Sequence, residues 1–259
     1  MFSLQDRIAL VTGAGRGIGR AIAIAFGKAG AHVGVTARTA AELDEVVKTI
    51  ESAGGKAIAI SADLAQAEAP AAVIKEMQAR LGPVDILVNN AGIGSSMNPK
   101  PIAEFNDDFW NLTLTLNLTV PYKFSKGVLP HMREKKWGRI INIASINGKM
   151  PSLHGAAYAA SKHGLLGFTR TLALEVAKEG ITVNAICPGP VRTVMNDRRI
   201  EYDAHRRGMT FTELENAMTP IGGRLDPDDI APLAIYLASK EARMVTGQAY
   251  NICGGVLLY

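Results

Sequence analysis

Short apolar, β-branched runs alternate with longer stretches of helical period along almost the whole chain. The runs fall at Arg7 to Thr12, His32 to Ala37, Lys56 to Ala62, Val84 to Asn89, Gly138 to Ser145, Ile181 to Cys187 and Gln248 to Cys253. Seven strands separated by helix-length segments predict a parallel, doubly wound α/β sheet with right-handed crossovers, because parallel neighbours need a helix-length return. No repeat, low-complexity tract or linker interrupts the series. Residues 188–225 alone break the rhythm, being long, polar and basic in their first half, with helical patterns around Asp197 to Arg207 and Thr212 to Ala217. In an open α/β sheet such a segment is expected to form a helical substrate lid; an insertion serving subunit packing is the alternative.

With 259 residues, 47% of them hydrophobic, and 26 glycines, the chain can bury one large core, so 1–259 is expected to form a single domain. The net charge of +4 is small, and the basic residues are scattered among acids, which argues against a nucleic-acid partner. Cys187 and Cys253 are far apart and the five histidines have no ligand spacing, so neither a disulfide framework nor a metal site is expected. The first seven residues reach charge at once, without a basic region, apolar stretch or cleavage site. The expectation is a cytoplasmic protein with no membrane segment.

The turn Thr12-Gly13-Ala14-Gly15-Arg16-Gly17-Ile18-Gly19 joins the first strand to the first helix. Its glycines let the backbone approach a pyrophosphate, and the helix that follows offers unpaired N–H groups and a positive dipole end. After the first strand of an alternating chain, this predicts a dinucleotide cofactor on a Rossmann three-layer sandwich. Binders that prefer NAD(H) carry an acid at the end of the second strand, for the ribose hydroxyls. Here the strand ends Val35-Thr36-Ala37-Arg38, and the guanidinium of Arg38, joined by Arg16, suits a 2′-phosphate. The cofactor expected is therefore NADP(H) in preference to NAD(H), the alternative being two solvated arginines.

Tyr158 and Lys162 lie one helical turn apart, and Ser145 follows the apolar run Ile140 to Ala144. An ammonium one turn from a phenol is expected to lower a pKa that starts near ~10, so that the phenol exchanges a proton with an alcohol or carbonyl while a nicotinamide exchanges the hydride. Tyr122 and Lys126 have the same spacing, but Phe109 stands where Tyr158 has Ser145.

With these residues together, the chain resembles the short-chain dehydrogenase/reductase family from about Arg7 to Gly255. Further matches are Asp63-Leu64, Asn89-Asn90-Ala91-Gly92, Asn117, Asn184 to Gly189 and Thr246-Gly247-Gln248. The resemblance implies that Asp63, next to Leu64, contacts the adenine. It implies that Asn90, Ala91 and Gly92 support the central strand beside the cofactor, and that Val191 and Thr193, after Pro188-Gly189, contact the nicotinamide carboxamide. It assigns Asn117 a water that links Lys162 to solvent, with a packing role as the alternative. It further implies a homotetramer, or else a dimer, paired through helices near 105–135 and 155–178. Cys253 stands where many relatives have an acid, which weakens transfer of their commonest substrate.

Pocket candidates are Gly94 to Met97, Ile146, Asn147, Lys149, His154, Arg192, Met195 and Asn196. Asn147, His154 and Arg192 suggest a polar pocket for a small hydroxy or keto compound such as a sugar, polyol or hydroxy acid. A 3-oxoacyl-thioester reductase is the second expectation, because the pattern also resembles fatty-acid and polyketide ketoreductases, some of which share the Cys-Gly-Gly ending. Lys135 and Lys136 could form part of a carrier-docking patch, whereas Glu179 disfavours one. A catalytically silent NADP(H)-binding sensor or scaffold is the third.

Overall fold

The computed structural model describes residues 2–259. Its seven strands form one parallel sheet in the order β3-β2-β1-β4-β5-β6-β7. They are β1 (Ile8–Thr12), β2 (His32–Ala37), β3 (Lys56–Ser61), β4 (Ile86–Asn89), β5 (Gly138–Ile143), β6 (Ile181–Pro188) and β7 (Ala249–Ile252). The helices are α1 (Gly17–Lys28), α2 (Ala40–Ser52), α3 (Ala69–Arg80), α4 (Asp107–Leu114), α5 (Val120–Lys135), α6 (Ala156–Val176), α7 (Val194–Arg207), α8 (Phe211–Asn216) and α9 (Ala231–Ala238). Every predicted strand is present, its ends within two residues of the expected ones.

Alternation along the strands sorts the core into two layers. Ala9, Val11, Val33, Val35, Ile86 and Val88 face one side, where they meet Phe26 of α1, Leu43 and Ile50 of α2 and Leu237 of α9. Their neighbours Leu10 and Leu87 face the other side, against Met77 of α3, Phe124 and Met132 of α5 and Val176 of α6. A one-residue slip of any strand would exchange the two sets, so the apolar pattern fixes the register.

Parallel strands put all their carboxyl ends on one edge, and the strand order reverses between β1 and β4, opening a crevice there. Asn90 ties the two sides of that crevice together. Its Nδ2 donates to the carbonyls of Thr12 at 2.9 Å and Gly13 at 3.0 Å, while the backbone N–H groups of Asn90 and Ala91 both donate to Thr12 Oγ1 at 3.0 Å.

Behind the crevice the interior is polar. Asn89 Nδ2 donates to Asn142 Oδ1 at 2.9 Å, and Asn142 Nδ2 donates to Thr169 Oγ1 at 2.8 Å, which links β4, β5 and α6. All three residues are buried. Asn142→Ala would leave the buried Asn89 amide and Thr169 hydroxyl short of partners. The expected cost is ~2 kcal/mol in urea denaturation; a loss well under ~0.5 kcal/mol would show that the network contributes nothing.

Candidate active site

The crevice begins at the glycine turn. Gly13 takes φ +64°, and a Cβ there would lie 2.8 Å from Ala91 Cα; at Gly19 a Cβ would collide with the Gly13 carbonyl and the Asn90 amide. The turn therefore packs against the Asn90-Ala91-Gly92 segment with no room for side chains. Arg16, the N-cap of α1, makes no side-chain cap, so the first-turn N–H groups are left for a ligand. This cradle fits the pyrophosphate of a dinucleotide. Thr193 crosses it from the segment after β6, with its Cγ2 3.2 Å from where a Gly17 Cβ would be.

Arg16, Arg38 and Asp63 are exposed at the adenosine end of this edge, while Leu64 is buried beside Asp63. Gly15 is buried and Ile18 half-buried in the turn. At the other end, Ile18, Asn90, Gly92, Pro188, Gly189, Val191 and Thr193 all line one cavity together with Ser145, Tyr158 and Lys162.

Ser145 stands two residues beyond β5, as the cap of the single turn Ile146–Gly148, and its Oγ accepts from Asn147 N at 3.1 Å. Lys162 is buried, and its Nζ donates to the Ile143 carbonyl at 2.8 Å, 5.7 Å from the centre of the Tyr158 ring. The expected acidification of the phenol is corrected by this geometry. Tyr158 is half-buried and lines the cavity, and its burial pushes the phenol's pKa up; a hydrogen bond with Ser145 opposes the shift, and Cys187 adds to it. Burial also lowers Lys162, to about 8, against a smaller opposing effect of Cys187. The lysine is turned to a carbonyl and is itself desolvated, so in this structure its charge does not set the phenol's pKa.

Asn117 lies in a π-helical turn, Thr115–Thr119, between α4 and α5. Such turns shift the side chains that follow and recur at functional sites. Its Oδ1 accepts from Ile93 N at 2.9 Å, and Nδ2 donates to the Ile93 carbonyl at 2.9 Å and Ser161 Oγ at 3.0 Å. Both amide hydrogens are taken, so the side chain acts as a brace between the Gly92-Ile93 segment and α6.

The cavity has a volume of about 1150 Å³, which includes the space beside the glycine turn. Asn147 and His154 line it; Asn147 Nδ2 donates to the Pro151 carbonyl at 3.2 Å, and His154 Nδ1 lies 2.7 Å from Tyr202 Oη. Arg192 does not line it, because Asp226 at 3.2 Å and Glu215 at 3.5 Å draw the guanidinium to the outer side of the lid. Lys149 also turns away, donating to the Ala249 carbonyl at 2.7 Å and Asn251 Oδ1 at 2.8 Å. The far walls are Met150, Met195, Ile200, Leu214 and Met218, and Lys100, Arg206 and Arg207 stand among the lining residues as well. The expected polar pocket is thus mostly apolar.

The lid consists of α7 and α8. Arg199, which the sequence reading missed, joins α7 to both rims: it pairs with Asp203 at 2.7 Å, and donates to Ser95 Oγ at 3.0 Å and to the Leu153 carbonyl at 2.8 Å. The Arg199–Asp203 spacing of four residues was visible in the sequence, but not which way the pair faced.

A model of the family described as short chain dehydrogenase matches residues 7–203. A Streptomyces coelicolor protein assigned as a ketoacyl reductase is 40% identical over 261 residues, covering 99% of each chain. Among solved structures, an actinorhodin polyketide ketoreductase variant with NADPH is similar at a TM-score of 0.93 and 39% identity, covering 100% of both chains. A Beutenbergia cavernae protein assigned as an NAD(P)-dependent gluconate 5-dehydrogenase, with bound NADP, gives 0.88 and 40%, covering 98% of this chain and 97% of the other.

The depressed Lys162 pKa has a measurable consequence. The folded chain releases this proton near pH 8 and the unfolded chain near 10.5, so between those values the unfolded state holds more protons and stability rises with pH. The whole window is worth ~3 kcal/mol. Urea denaturation at both ends of it is expected to show wild type gaining roughly that amount relative to Lys162→Met. Parallel pH dependence in the two proteins would contradict the assignment.

Proposed function

The chain belongs to the short-chain dehydrogenase family, and from that premise we propose that it reduces the ketone of a 3-oxoacyl thioester with NADPH. The observation that carries this reading is a single cavity with Ser145, Tyr158 and Lys162 at one end, apolar far walls, and Lys100, Arg206 and Arg207 around it. An acyl chain would bury apolar surface against Met150, Ile200, Leu214 and Met218, and the basic residues suit the phosphate of a pantetheine arm. The acid that disfavoured a carrier-bound substrate, Glu179, is paired with Arg133 at 2.6 Å. The ketoacyl and polyketide relatives support the same class.

A nicotinamide held in the crevice would supply the hydride for the carbonyl carbon. Tyr158 gives its proton to the carbonyl oxygen, and the Ser145 hydroxyl donates a hydrogen bond to that oxygen as charge develops on it. Burial holds the Tyr158 phenol in its protonated form, the form that donates to the carbonyl oxygen. Lys162 would hold the nicotinamide ribose, solvent would restore the proton that Tyr158 gives up, and Asn117 braces the helix that carries both residues. Arg16 and Arg38 would receive the 2′-phosphate, Asp63 and Leu64 would flank the adenine, and Val191 and Thr193 would hold the carboxamide. The NADP and NADPH in the related structures support this choice of cofactor.

A second reading keeps a small polar substrate, with Asn147 and His154 as its contacts. One observation favours it: Ser96 lines the cavity, and its buried hydroxyl has no partner. Leu112, Tyr122 and Leu174, apolar and exposed on α4, α5 and α6, support self-association through those helices, with a homotetramer proposed ahead of a dimer.

The test is NADPH oxidation with acetoacetyl thioesters, keto sugars and hydroxy-acid precursors as alternative acceptors. Thioester turnover is expected, reduced by about 10²–10⁴-fold in Tyr158→Phe with cofactor binding retained. Turnover of keto sugars alone would replace the thioester by the polar substrate, and full activity in Tyr158→Phe would overturn the mechanism. Lys100→Glu combined with Arg207→Glu is expected to raise KM for the thioester about tenfold with kcat little changed; an unchanged KM would remove the phosphate from the argument. Light scattering of the purified protein is expected to give a tetramer.

A further inference from the structure

The end of β2 lacks the acid that would hold unphosphorylated ribose, since Ala37 stands in its place. An acid nevertheless occupies that corner. Glu42, in the first turn of α2, folds back over the glycine turn: its Oε2 lies 2.8 Å, and its Cβ 3.0 Å, from the point where a Cβ on Gly15 would sit. The Ala37 Cβ is 3.7 Å from the same point. The carboxylate, the glycine turn and the strand end therefore share one contact shell.

Glu42 Oε1 also lies 3.8 Å from Arg16 Nη1, with the two side chains 37% and 67% exposed. So loose and solvated an ion pair contributes little and exchanges partners readily. Glu42 makes no helix-capping hydrogen bond, although an acid in a first turn still gains from the helix dipole. Arg38, close by in sequence, is exposed and has no side-chain partner among the described residues.

Resting on the reading of this crevice as a dinucleotide site, we infer that Glu42 is a specificity-determining residue that supplies the missing acid from the helix and so admits NADH as well as NADPH. With NADH the carboxylate accepts hydrogen bonds from the ribose hydroxyls. With NADPH the 2′-phosphate repels the carboxylate and takes Arg16 from it, so Glu42 works against the phosphorylated nucleotide. One side chain thus sets the balance between the two cofactors, without any acid on the strand.

Calorimetric titration of the purified full chain with NADH and NADPH, in the absence of substrate, tests this. Glu42→Gln keeps the shape and removes the charge; it is expected to weaken NADH about tenfold and to tighten NADPH about twofold. Arg16→Gln is expected to weaken NADPH about fivefold while leaving NADH nearly unchanged. Equal changes for both nucleotides in Glu42→Gln would mark a structural role and overturn the inference, as would an unaltered ratio of the two Kd values. Wild-type protein that bound neither nucleotide would overturn it together with the proposed function, whereas binding of NADPH with no measurable NADH affinity would overturn this inference alone.

Discussion

A lysine ammonium buried at the carboxyl edge of a parallel sheet is the constraint around which this site is arranged. Its hydrogen-bond acceptor in the structure is the carbonyl of Ile143, the last residue of β5, at 2.8 Å. A charge held with so little solvation is costly, and the cost appears as a pKa near 8. Lys162 can stay there only because α6 packs rigidly along the sheet and the strand stops where a carbonyl is free to receive it. Tyr158 is carried by the same helix one turn earlier, so the position of the lysine also sets that of the phenol. Hydroxyl groups of a ribose arriving beside the ammonium would replace the solvation it lost on folding.

The polar groups behind the site hold that helix at a fixed height. Asn142 reaches from β5 to Thr169 on α6, and Asn117 reaches from the π turn to Ser161, also on α6. The sheet and the neighbouring helix rod thus both grip α6 by buried hydrogen bonds. Such bonds are directional where apolar packing is not, so they specify the register of the helix as well as its presence. The wide turn around Asn117 interrupts the regular ladder and lets its amide close on Ile93, fixing the segment that forms one wall of the crevice.

The lid is held differently. Ion pairs and hydrogen bonds of arginines at its surface and rims secure it, Arg199 on the cavity side and Arg192 on the outer side, while Arg224, nearly buried, pairs with Asp197 and Glu215. Its apolar residues form a small cluster of their own, Ile200, Ala204 and Leu214, separate from the main core. A structure attached mainly through polar contacts can vary without disturbing the sheet. A common scaffold can therefore serve ketoacyl reductases and proteins assigned to gluconate oxidation alike.

How much of this was legible in the chain differs from residue to residue. The strands, their order of appearance, the glycine turn and the Ser145, Tyr158 and Lys162 spacing follow from local periodicity and sequence separation, and these fix the fold class and place the three proposed catalytic residues on one edge. The destinations of Arg192, Lys149 and Glu42 could not be read, because a long charged side chain goes to whichever opposite charge or carbonyl the fold brings near, and those partners are distant in sequence: Asp226, Asn251 and the glycine turn. The same holds for the pocket's apolar walls and for the phenol's raised pKa. The sequence by itself determined the sheet and the spacing of Ser145, Tyr158 and Lys162, since backbone geometry and short-range separation dictate them. The tertiary structure alone decided the burial, partners and lining of the site, since these depend on packing between segments far apart along the chain.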